Sequence, residues 1–187
     1  MTCTTPFPEK TKTPQVIIER FNNLSNDDLE IGLVYIDLEI WKQRFNVVFG
    51  MNLPPVEVVV ERGNIVIPGT FRCEYGSSGW KRLAALQEQR VLAEWGTVNY
   101  CLTIGDLLHS LLHAYEDAYG DPRGNDDHNQ SFQDHAAELG LVVDDHGVTH
   151  YFENSLFTRL LATYRVSTKA LFCPEAAINR DSGMFAI

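Results

Sequence analysis

Apolar residues recur at three- and four-residue spacing through the first fifty positions, which is the period of a helix with one apolar face. The pattern predicts a short helix over residues 15–21 and a long helix that begins near Ser25 and ends at Gly50. Residues 1–13 lack periodic apolar positions, so we expect a flexible lead and a domain that begins at about residue 14.

Short runs of β-branched residues dominate the next segment and are typical of strands. Residues 56–60 and 64–67 predict a hairpin or two adjacent strands, and residues 70–75 are a further candidate. Residues 80–94 have helical spacing but are equally compatible with an irregular excursion from the sheet, and both interpretations stay open. Residues 98–102 are predicted to form a short strand.

A strongly amphipathic helix is predicted over residues 104–119, with Thr103 as its cap and Gly120 after its end. Its apolar residues fall on one face, and its other face holds Asp106, His109, Ser110, His113, Glu116 and Asp117. His109 and His113 are one turn apart, so their imidazoles can converge on a single ion, as in a zinc half-site. Two histidines on the exposed side of an amphipathic helix can also be ordinary solvated side chains that bind no metal.

A third histidine follows after a Gly- and Pro-containing loop. His128 stands just before a second predicted helix, whose stripe of Phe132, Ala136 and Leu139 ends at Gly140. A third ligand from a loop, with a fourth position open to water, is the architecture of a catalytic zinc site.

The segments LLHSLLHAYEDAYG and HNQSFQDHAAELGL resemble the SprT-like family of zincin metallopeptidases, which includes the Spartan-type proteases. The family pattern is L-x-H-E-x-x-H, a variable loop, then H-x-x-x-F and A-x-x-x-G-L, and it is matched by His109, His113, His128, Phe132, Ala136, Gly140 and Leu141. The likeness covers about residues 104–151, including a weaker match at Thr149-His150-Tyr151.

The resemblance implies an α+β zincin-like domain over residues 14–170, with helices packed on a small twisted sheet. It also implies Zn²⁺ held by His109, His113 and His128, and hydrolysis of protein substrates. His150 is a candidate electrophilic helper near the cleft, and His135 is expected on a helix surface.

Ser110 departs from the pattern, because the family has a glutamate there as the general base. A serine hydroxyl cannot act as a base near neutral pH, so hydrolysis should fall by roughly 10²- to 10⁴-fold or more. Three explanations stay open: a natural pseudopeptidase, an engineered loss of the base, or a substitute base at Glu116. The last ranks lowest, because Glu116 is more simply a partner for an imidazole N–H or a metal ligand.

Residues 171–187 form an extension that resembles a degenerate zinc-ribbon start. Cys173 opens the ribbon's C-P-x-C pattern, but Ala176 stands where the second cysteine belongs. A four-thiolate zinc site therefore cannot be built there.

Composition narrows the function classes. The chain has 187 residues, a net charge of −10 and four cysteines without a C-x-x-C pair, as expected for one reduced, cytoplasmic domain. This charge disfavours nucleic acid and acidic membranes as partners, and no apolar run has the length of a membrane helix. The competing functions are an impaired zinc peptidase, a non-catalytic zinc-binding module for a protein partner, and a metal-free interaction protein with solvated histidines.

Overall fold

The computed structural model describes residues 26–62, 69–77, 79–120, 128–144 and 147–172, with side chains from residue 29 onward. The predicted lead, the helix over residues 15–21, the strand over residues 64–67 and the positions of Cys173 and Ala176 lie outside the described residues.

The chain divides into two compact units, residues 1–33 and 34–187. Of the first unit, the structure describes residues 26–33, which are helical and belong to α1 (Asn26–Val48). The predicted long helix is thereby confirmed. In the second unit α1 buries one apolar stripe, which consists of Val34, Leu38, Trp41 and Phe45.

The second unit contains a three-stranded mixed sheet. Its strands are β1 (Val56–Glu61), β2 (Thr70–Gly76) and β3 (Gly79–Gln87), in the order β1-β3-β2. The central strand β3 pairs parallel to β1 and antiparallel to β2. The strands predicted over residues 56–60 and 70–75 are confirmed.

The helical interpretation of residues 80–94 is wrong for its first half, since β3 extends to Gln87 and only α2 (Glu88–Glu94) is helical. Strand pairing on both edges of β3 outweighs the helical spacing of its sequence. Four consecutive residues, Leu83 to Leu86, are buried, as in a strand that is covered on both faces.

The predicted strand over residues 98–102 is also wrong. These residues form a turn and then the start of helix α3 (Tyr100–Tyr119), which begins four residues earlier than predicted. A short apolar run does not distinguish a strand from a buried helical turn. Thr103 therefore lies inside the helix instead of capping it, and its hydroxyl donates to Glu94 at 2.6 Å.

Helix α3 is the buried central helix, and the first half of its polar face, Asp106, His109 and Ser110, is covered, whereas Asp117 near its end is exposed. Residues 100–112 are all buried, including Asp106, His109 and Ser110. The helix contacts β2 and β3 and also α4 (Gln130–Leu139). The expectation of an exposed polar side is therefore wrong for Asp106, His109 and Ser110, because neighbouring elements cover that part of the helix, and it holds for Asp117.

The second predicted helix is confirmed as α4, which ends at Gly140 with a left-handed φ of 106°. A hairpin of β4 (Leu141–Asp144) and β5 (Gly147–Tyr151) follows. Helix α5 (Leu156–Thr163) and a 3₁₀ turn (Lys169–Phe172) complete the described chain.

The α+β class predicted from the sequence is confirmed. Among the described helices, none has the length and apolar character needed to cross a membrane.

Candidate metal centre

Three imidazoles converge at the junction of α3 and α4. His128 Nε2 lies 3.0 Å from His109 Nε2 and 3.1 Å from His113 Nε2. Nitrogens bound to one tetrahedral zinc at about 2.0–2.1 Å are about 3.3 Å apart. The predicted ligand residues are thus brought together at close to the spacing that a shared ion imposes, and they are a group able to hold a metal.

Hydrogen bonding alone accounts poorly for this arrangement. A ring nitrogen carries either one proton or one lone pair in the ring plane. His128 Nε2 faces two other Nε2 atoms at hydrogen-bond distance, and one proton or lone pair cannot serve both well. A cation at the centre would satisfy all three lone pairs at once.

The three histidines are shielded from solvent to different degrees. His109 is 5% exposed, His128 is 8% exposed and His113 is partly buried, so these are not solvated surface histidines. Burial and, to a lesser extent, the neighbouring His128 lower the pKa of His113 to about 3. His113 is therefore an uncharged imidazole at neutral pH, which is the protonation state that ligates a metal.

An aromatic layer surrounds the three rings. The buried ring of Phe132 has centroid distances of 5.6 Å to His109, 4.4 Å to His113 and 5.1 Å to His128. Phe71 on β2 stacks on His113 at 6.2 Å. These apolar rings hold the imidazoles in place and exclude water from behind the nitrogens.

The start of α4 fixes the position of His128. Asn129 caps the helix by accepting a hydrogen bond from the Phe132 backbone N–H at 3.0 Å. Gln133 Nε2 also donates to the His128 carbonyl at 2.9 Å. His128 is therefore tied to the first turn of α4.

Ser110 is fully buried, and its hydroxyl is used within its own helix. Ser110 Oγ donates to the Asp106 carbonyl at 3.0 Å. Gly69, with a φ of 68°, lies against both residues, and a Cβ added there would be 3.1 Å from Ser110 Oγ. Position 110 is thus closely packed, and its hydroxyl makes a hydrogen bond within the helix.

Glu116 lies on α3 but pairs away from the three imidazoles. Its Oε1 lies 2.6 Å from His135 Nδ1, and its buried Oε2 has no partner among the described residues. Glu116 is not a member of the three-histidine group. Its observed contact links α3 to α4 through His135, whose side chain is partly exposed as expected.

His150 is exposed on β5, where it pairs with Val142 across the hairpin. It is not a member of the three-histidine group. The neighbouring Tyr151 is buried, and its hydroxyl lies where a Cβ on Gly105 of α3 would be. In the Thr149-His150-Tyr151 segment, the tyrosine therefore contacts α3 while the histidine points to the surface.

A buried ion network that the sequence did not predict lies beside the site. Arg90 of α2 binds Glu94 at 2.8 Å and Asp106 at 3.0 Å, and burial raises the pKa of Glu94 although Arg90 and Thr103 oppose that shift. Asp106 lies one turn before His109, so the network anchors α3 to α2. The i,i+4 spacing of Arg90 and Glu94 is a feature of the sequence from which an ion pair can be predicted. The pairing of Arg90 with Asp106 depends on the tertiary fold and has no such local signal.

We expect Arg90→Met to lower the free energy of unfolding by about 3–5 kcal/mol, because it leaves two buried carboxylates without their cation. Urea unfolding measures the loss. Arg62→Met is the matched control, since Arg62 pairs with Glu88 on the surface and should contribute at most about 1 kcal/mol. Equal losses in the two variants would contradict the structural role given to the buried network.

Comparisons of this chain with protein-family models, curated proteins and solved structures found no match.

Proposed function

We propose that this chain is a SprT-like zinc metallopeptidase domain of the zincin fold, with protein substrates and a strongly impaired hydrolytic step. The observation that carries the proposal is the convergence of His109, His113 and His128 through their Nε2 atoms at 3.0 and 3.1 Å. The matching H-x-x-x-H and H-x-x-x-F spacings support the family assignment. The cofactor proposed is Zn²⁺, because three neutral imidazoles that leave one position open are typical of catalytic zinc.

The donor set fits zinc. All three ligand atoms are imidazole nitrogens, two of the residues are buried, and His113 is neutral at neutral pH. When bound, zinc would supply a Lewis acid for a peptide carbonyl and lower the pKa of water. The protein's own contribution is to hold the imidazoles through α3 and the capped start of α4, and to exclude water with Phe132 and Phe71.

Proton transfer is the deficient step. Peptide hydrolysis needs a group that takes a proton from water and later gives it to the leaving amine. Ser110 occupies the position of that base, and its hydroxyl is donated to the Asp106 carbonyl. Glu116 is paired with His135, which gives no support to a substitute base at that position.

A second candidate is a non-catalytic zinc-binding module that holds a protein partner. The close packing of Ser110 and the hydrogen bond from its hydroxyl to the Asp106 carbonyl favour this candidate. The described sheet offers a surface for such a partner, since β2 is an edge strand and its Phe71 stacks on His113. An extended polypeptide could add to that edge beside the metal. The two candidates share the zinc site and differ in whether a base restores hydrolysis.

Metal analysis tests the shared part of both candidates. We expect about one zinc per chain in protein purified without added metal, and loss of that zinc in His113→Ala. His150→Ala is the matched control, because this exposed histidine is outside the three-histidine group and its replacement should leave the zinc content unchanged. Metal-free native protein that takes up no added zinc would refute the zinc assignment.

A further inference from the structure

Helix α1 has two apolar faces, and only one of them packs against the described core. Trp41 and Phe45 on the inner face are about 1% exposed or less. On the outer face Ile36 is 49% exposed, Ile40 is 43% exposed and Val47 is 77% exposed. A surface helix normally has a polar outer face, and a helix that is apolar all round is covered on all sides.

The spacing on the outer face is that of a coiled coil. The exposed positions Ile36, Ile40, Gln43 and Val47 follow one another at intervals of four, three and four residues. This is the alternation of the a and d positions of a heptad, with Ile40 and Val47 at a and Ile36 and Gln43 at d. Gln43 is the polar residue among these four positions, and a polar side chain in such a seam lowers the stability of the pair.

The edges of this seam carry opposite charges. Glu39 falls at position g and Arg44 at position e of the following heptad. The Glu39 side chain is 43% exposed and pairs with Lys42 at 2.5 Å, while the Arg44 guanidinium lies 3.7 Å from the centre of the Tyr164 ring, which borders this outer face. In a parallel pair of helices, a g residue of one helix faces the e residue of the next heptad in the other.

We propose that two copies of this chain associate through the outer face of α1 as a parallel, two-stranded coiled coil. Ile36, Ile40 and Val47 would form its apolar seam. Glu39 of each copy would face the partner's Arg44, and the two-fold symmetry would create this ion pair twice. A second copy fits this face because the surface is complementary to itself in charge as well as apolar character.

The seam is short, so the dimer should be of moderate affinity. The interface lies toward the small end of specific protein interfaces, which favours micromolar dissociation. Sedimentation of the full chain over a range of concentrations should therefore show a monomer–dimer equilibrium. A monomer at every concentration, as expected if this chain's own residues cover the face, would overturn the proposal.

The central test is Ile40→Glu, which places a charge in the seam and should weaken dimerisation by at least tenfold. Trp80→Glu is the matched control, because Trp80 is a large apolar residue, 74% exposed, on β3. Circular dichroism and cooperative melting of both variants check that the fold persists. Dimerisation that resists Ile40→Glu, or that is lost equally in Trp80→Glu, would place the interface elsewhere and overturn the proposal.

If Ile40→Glu does not fold, Gln43→Leu gives an independent test, in which the affinity of dimerisation is expected to rise instead of fall. This change removes the polar residue from the seam and should strengthen association. Glu39→Arg should weaken the dimer, and the double variant Glu39→Arg, Arg44→Glu should recover part of the loss. Unchanged affinity in Gln43→Leu, or no recovery in the charge swap, would contradict the parallel seam.

Discussion

Chelation is expected to lower the melting temperature of this protein by about 8–16 °C. A ligand that binds only the folded state stabilises it by about 4 kcal/mol when its free concentration is about a thousand times Kd. In a domain of this size, each kcal/mol changes the melting temperature by about 2–4 °C. The three histidines lie on α3 and just before α4, so a zinc ion bound by all of them would be released when these elements separate.

The variant that tests this result is His128→Ala, in which the zinc-dependent part of the shift should disappear. The absolute melting temperature is not the correct readout, because His128 also packs on Phe132 and its removal has a cost of its own. The comparison is therefore the difference between zinc-loaded and chelated protein in each variant. His150→Ala should keep the full difference. Native protein with no difference would mean that the three imidazoles do not bind zinc in the folded state.

The helical part of the site could be predicted from the sequence because helix geometry fixes it. Once residues 104–119 are helical, His109 and His113 must lie one turn apart on one face. His128 is different, because it lies across a loop whose path no periodicity determines. Its position was expected from the spacing of the family pattern, and the described structure brings its Nε2 atom to the other two.

Periodicity identifies which residues share a face but not what covers that face. For this reason the polar side of α3 was expected on the surface, whereas Asp106, His109 and Ser110 are buried. The ring of Phe132 and the pairing of Asp106 with Arg90 cover part of that side, and both come from other elements.

The error at β3 has a similar origin. The sequence of residues 80–87 suits a helix, but the segment lies between two strands that pair with both of its edges. Such long-range pairing is not visible in local spacing. The same limit applies to the start of α3, where residues 100–102 are apolar because the first turn of the helix is buried.

Replacing Ser110 by Glu is expected to create or restore peptide hydrolysis, with a gain of roughly 10²- to 10⁴-fold over the native chain. The metal ligands are all present in this proposal, and only the base is missing. The site at position 110 is fully buried and lies against Gly69, so the larger side chain should also cost about 1–3 kcal/mol of stability. Zinc content should not change.

Ser110→Gln is the matched control, since it has nearly the same size and shape as the glutamate but cannot take up a proton. A gain in Ser110→Glu that is absent in Ser110→Gln assigns the effect to proton transfer instead of repacking. Ser110→Ala should change activity little, because the hydroxyl donates to the Asp106 carbonyl of its own helix and is given no part in proton transfer in this proposal. The rates are measured on an unfolded protein substrate, with and without chelator.

The outcome separates the two candidate functions because each predicts a different result for a zinc-loaded, folded Ser110→Glu protein. Hydrolysis that is sensitive to chelator supports a peptidase domain that lacks only its base. If this variant hydrolyses none of several substrates, the site lacks more than its base, and a zinc-binding module without catalysis is then the better description. Efficient cleavage by the native chain that is abolished in Glu116→Gln would instead make Glu116 the base, and its pairing with His135 would have to open during catalysis.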